Sequence, residues 1–195
     1  MELFNLLILF FFYFGSSIII ISYGTLFQSF LLKKNELPNE IGFKGFLGFL
    51  FLFFLSNIIR LFININNYII SLVLLTGLVL FIYFLLKQKI SLKSLFYFFL
   101  LLVLFFPLSI IAEPSEDFFY YYLPYLEYLY TSNILLGLVN INDILAFSTN
   151  SLFDILVFFK IPNFLENGFS VLILIFFVFF INFLIDLILK NKNDI

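Results

Sequence analysis

Polar positions are so sparse along this chain that they act as punctuation. From Leu3 to Leu32, thirty residues pass without a charge. A membrane-crossing helix needs about 20 predominantly apolar residues. The run therefore predicts one long or tilted helix over residues 4–30, interrupted in character by Gly15-Ser16-Ser17 and Ser22-Tyr23-Gly24. It does not read as a cleaved leader: only Glu2 stands ahead of it, and the apolar run is too long. The polar stretch Lys33 to Glu40 closes it. A second span is expected over 42–59. Only fifteen residues between Lys44 and Arg60 are free of charge, so it draws on Ile41 to Phe43 or on a thinned bilayer. Gly45 and Gly48 are spaced i, i+3 rather than i, i+4, so no close-packed helix pair is expected there. Further spans are expected over 68–86, over 94–112 with a kink at Pro107, and over 169–189. The expected fold is all-α: a single polytopic helical membrane domain of about five spans, with interfacial amphipathic helices in one external segment, 113–168.

Composition narrows the class further. Hydrophobic residues make up 64% and charged residues 11%, and mean hydropathy is +1.16. A soluble domain is about 25% charged, so this chain has too little charge to cover a water-facing surface. Soluble and disordered classes are excluded. With 0 His and 0 Cys, the usual zinc, haem, iron–sulfur, thiol and His-base chemistries fall away. A net charge of −2 gives no reason to expect nucleic-acid binding. No phosphate-binding Gly-rich loop, nucleophile elbow or dinucleotide fingerprint is present, and no cofactor is identifiable.

The few basic residues set a topology. Lys33, Lys34, Lys44, Lys87, Lys89, Lys93, Lys190 and Lys192 fall on one side of a five-span chain, and only Arg60 and Lys160 on the other. The positive-inside bias places the N-terminus outside and the C-terminus in the cytoplasm. The external segment then carries seven acids against Lys160 alone. With no acidic or basic residue expected at membrane depth in the first four spans, ion conduction is not expected.

That segment opens Glu113-Pro114-Ser115-Glu116-Asp117 and continues through Phe118 to Tyr130 with six of the 11 Tyr. Ser115 suits a helix cap, acids suit the positive end of the helix dipole, and Tyr favours the headgroup layer. This reads as a helix lying on the outer leaflet, bent near Pro124. After Asn140-Ile141-Asn142-Asp143, an amphipathic piece from Ile144 to Phe159 either lies on the membrane or dips in as a re-entrant hairpin.

Glu116-Asp117-Phe118-Phe119-Tyr120-Tyr121-Tyr122-Leu123-Pro124, then Gly137-Leu138-Val139-Asn140-Ile141-Asn142, then Ser148 to Phe153, resemble the ordered motifs of a family of uncharacterised bacterial polytopic membrane proteins. That family in turn resembles the GT-C type of integral membrane glycosyltransferase. The resemblance implies a polyprenyl-phosphate sugar donor, a role in cell-surface glycan synthesis, a bacterial inner membrane and acidic catalysis in an external loop. Glu116 and Asp117 become candidate catalytic residues, taking a proton from an acceptor hydroxyl or holding a divalent metal on the lipid phosphate. Their structural alternative is an ordinary helix start. Tyr121 and Tyr122 become candidates for stacking on sugar rings, or else part of an aromatic belt. Asn140, Asn142 and Asp143 become candidates for sugar hydrogen bonds, or else a turn. The family pattern has His where this chain has Tyr122 and Asp143. GT-C enzymes also have many more spans, so the chain is expected to be an N-terminal part or a shortened relative. Asp154 counts as functional only at membrane depth, and Asp186 reaches cytoplasmic headgroups. A second function class is a non-catalytic small subunit of a respiratory or transport complex, suggested by the Phe-rich spans; either class has the lipid bilayer as its surroundings.

Overall fold

The computed structural model describes residues 3–31, 40–111, 124–125, 128–129, 151–159 and 165–193. Its helices are α1 (Leu3–Leu31), α2 (Ile41–Phe62), α3 (Asn67–Leu86), α4 (Leu92–Ile111), α5 (Ser151–Leu156, continued by a 3-10 turn, Val157–Phe159) and α6 (Leu165–Asn193). Among the described residues there is no strand. Five helices are long and apolar enough to cross a membrane: Phe4–Leu31, Ile41–Phe62, Asn67–Leu86, Leu92–Ile111 and Ser170–Lys190. The chain is an all-α, multi-pass membrane protein. A helix satisfies its own backbone groups, which lipid cannot do.

The small polar residues of α1 do not break it. Their hydroxyls fold back onto the preceding turn: Ser17 onto the Phe14 carbonyl at 2.7 Å, Ser22 onto Ile19 at 2.7 Å and Thr25 onto Ile21 at 2.8 Å. Tyr23 reaches outward instead. Its hydroxyl donates to the Val73 carbonyl at 2.7 Å and lies 2.6 Å from the Thr76 hydroxyl, tying α1 to α3.

Helix α2 packs on α1, α5 and α6. It is longer than its charge-free stretch because Lys44 and Arg60 lie inside it, both buried. Lys44 Nζ donates to the Lys89 carbonyl at 2.6 Å, so the cation is held by a backbone acceptor from the α3–α4 connection. The glycines of α2 also correct the sequence expectation. A methyl group at Gly48 would fall on the Ile20 carbonyl, one at Gly24 of α1 on the Lys44 carbonyl, and one at Gly45 on the Phe179 ring. At Gly42 it would meet the backbone of Phe179 and Phe183. Steps of three residues turn the small-residue line by about 60° each time. The spacing i, i+3 thus serves two neighbours in succession, α6 and then α1, where i, i+4 would serve one.

Helix α4 continues unbroken through Pro107. It joins the core by aromatic contacts: Phe98 stacks on Phe179 of α6 at 4.7 Å, and Phe106 meets Phe10 of α1 edge-on at 5.2 Å. Helix α5 is wedged against α2 and α6, and its 3-10 turn lies against α3. Asp154 to Phe159 are six consecutive buried residues. This stretch therefore has no water-facing side. Its described part is packed among other helices rather than presenting one apolar and one polar face, because three neighbouring helices cover it.

Candidate functional site

Glu116, Asp117, Tyr121, Tyr122, Asn140, Asn142 and Asp143 lie outside the described residues. The described chain assembles polar chemistry elsewhere, at the end of the bundle where α2 finishes. Asn57 and Arg60 are three residues apart, one turn along a shared face of α2, and α5 presents Asp154 to that face. Asn57 Nδ2 donates to the Phe53 carbonyl at 3.0 Å and to Asp154 Oδ2 at 3.3 Å. The Tyr125 hydroxyl donates to Asp154 Oδ1 at 3.2 Å. Arg60 Nη1 stands 3.7 Å from that oxygen, and the guanidinium lies 5.6 Å from the centre of the Tyr128 ring.

Burial gives this arrangement its energetic weight. Arg60 is 2% exposed and Asp154 6%. A buried ion costs several kcal/mol unless a partner and hydrogen bonds compensate it. Burial pushes the Asp154 carboxyl above the usual carboxylate range, while Asn57, Arg60 and Tyr125 each pull it back. Burial, followed by the charge of Asp154, pushes the Tyr125 hydroxyl up as well, so it stays a donor at physiological pH.

Arg60 is only partly used. Its Nε and Nη2 atoms are buried and have no hydrogen-bond partner among the described residues. A guanidinium presents its donors as a rigid planar fork. The Nε and Nη2 groups together form the side-on edge that grips two oxygens of a carboxylate or phosphate. The arrangement is thus a cation neutralised on one edge by Asp154, lying over an aromatic face, with the bidentate edge uncommitted.

Sequence reasoning placed Asp154 among its conditional candidates and missed Asn57, Arg60, Tyr125 and Tyr128. The available signal was Arg60 itself, one of two basic residues on the side otherwise free of them. No group of three or more His, Cys, Asp or Glu side chains that could hold a metal lies among the described residues. The metal expectation rests on Glu116 and Asp117, outside the described residues. Comparison with known protein families, with curated proteins and with solved structures finds no match.

Proposed function

We propose that this membrane protein handles an anionic lipid-linked substrate at the Arg60 end of the bundle, as a GT-C-like glycosyltransferase in cell-surface glycan synthesis. The observation that supports the reading is the buried, uncommitted Nε/Nη2 edge of Arg60, which matches two oxygens of a lipid phosphate. In this reading a polyprenyl-phosphate sugar lays its phosphate on Arg60. A carboxylate of Glu116 or Asp117 takes the proton of the acceptor hydroxyl as its oxygen bonds to the sugar carbon. The bond from that carbon to the phosphate oxygen breaks, and the polyprenyl phosphate leaves with the electron pair, its charge met by Arg60. Tyr121 and Tyr122 stack on the sugar, and Asn140, Asn142 and Asp143 hydrogen-bond it. The Arg60 end faces outward across a bacterial inner membrane.

The test separates binding from folding. Arg60→Met combined with Asp154→Asn removes both charges together, which buried pairs tolerate far better than loss of one partner. The purified double variant is expected to stay monodisperse and to lose retention of a polyprenyl phosphate measured by native mass spectrometry. Asp117→Asn is expected to retain the lipid and lose sugar transfer. Wild-type retention in the double variant overturns the Arg60 site, and wild-type transfer in Asp117→Asn removes that carboxylate. A partner of fixed stoichiometry in mild detergent, with no lipid retention, would favour the non-catalytic subunit instead.

A further inference from the structure

A groove of about 770 Å³ lies between α4 and α6. It belongs to the opposite end of the bundle from Arg60. Its polar end carries Lys93, Ser94 and Asp186, and its long wall carries Leu100 and Leu104. Tyr97, Leu100 and Leu104 are each more than half exposed, so the groove opens sideways, where acyl chains lie in a bilayer.

The polar end holds opposite charges that make no ion pair with each other. Lys93 and Asp186 both line the groove, yet the salt bridge among the described residues is Arg60 with Asp154. Glu40, just before α2, stands close enough to act electrostatically on Asp186, and its Oε2 is buried without a hydrogen-bond partner among the described residues. A cation is therefore wanted beside Asp186, and an anion beside Lys93 and the Ser94 hydroxyl. We propose that this groove binds a phospholipid whose head carries a phosphate and a primary ammonium, an ethanolamine phospholipid. The phosphate meets Lys93 and Ser94, the ammonium donates to Asp186, and one acyl chain runs along Leu100 and Leu104. A choline head offers no N–H to Asp186. A glycerol head offers no cation and leaves the Asp186 carboxylate facing an anionic lipid. The volume lies within the usual range of small-molecule sites, about 300–1,000 Å³, enough for a headgroup and the upper part of a chain.

The test uses the full chain in detergent, exposed to equimolar ethanolamine, choline and glycerol phospholipids with identical acyl chains, with retained lipid read by native mass spectrometry. The ethanolamine lipid is expected to be retained about fivefold over each of the others, the scale of one charge-assisted hydrogen bond at a half-open site. Asp186→Asn is expected to bring ethanolamine and choline lipids to parity. Leu104→Trp, at an outward-facing position, is expected to fill the groove and lower retention of all three while the protein stays monodisperse. Equal retention by the wild type, a preference for the glycerol lipid, an unchanged preference in Asp186→Asn, or undiminished retention in Leu104→Trp overturns the proposal.

Discussion

At the residue scale, the Arg60–Asp154 pair is held by opposing effects, and their balance gives a pH dependence. Burial raises the folded-state pKa of Asp154 above its unfolded value of about 3.9. The fold thus holds the carboxyl proton more tightly than the unfolded chain does. The stability that Asp154 contributes is greatest below about pH 4 and is lost as pH rises through the raised folded pKa. Measured in detergent from pH 7 to pH 4, the stability difference between wild type and Asp154→Asn is expected to grow in favour of the wild type as pH falls. A difference that shrinks would mean that Arg60 wins over burial. Arg60→Met alone leaves Asp154 without its cation and is expected to cost about 3–5 kcal/mol at neutral pH. That loss should diminish toward pH 4, because a protonated carboxyl no longer needs a counter-charge. Of this cluster only Asp154 was legible in the sequence. Its partners Asn57 and Arg60 lie on a different helix, and local pattern carries no information about contacts that distant.

At the scale of elements, the glycine line on α2 predicts a contrast. Gly48→Ala would drive a methyl group into the Ile20 carbonyl, and a backbone atom cannot rotate away. The expected cost is about 1–3 kcal/mol, the range for overpacking a filled interior. Gly15→Ala meets nothing within 4 Å, so it is expected to be neutral or to gain up to about 1 kcal/mol from helix propensity. Unfolding midpoints of the two variants in one detergent check both, and equal midpoints would remove the steric argument. The long helices were legible because charge-free runs of this length have few alternatives in a membrane. The ends of α2 were not. Reading Lys44 and Arg60 as boundaries assumed that a charge must face water, whereas the Lys89 carbonyl and Asp154 satisfy them within protein. Helix α5 was ambiguous for the same reason: whether an apolar run with one acid lies on a surface or inserts depends on what waits to receive it.

For the whole molecule, the distribution of basic residues predicts the orientation. The chain has no native Cys, so single cysteines at Ser132 and at Lys89 can be labelled without background. They are expected to react with impermeant reagent from opposite sides, with Ser132 outside. Labelling of both from the outside would overturn the five-span threading. The buried pair also has a consequence for how the protein is made. Arg60 is synthesised 94 positions before Asp154. At about 5–20 residues per second, the nascent α2 waits on the order of 5 to 20 s for its counter-ion. During that interval α2 carries an arginine whose acidic partner has not yet been synthesised. The pair can therefore close only after four of the five spans have been made, with α6 still to follow. A chain interrupted before residue 154 lacks the acid that pairs with Arg60 and leaves that cation uncompensated.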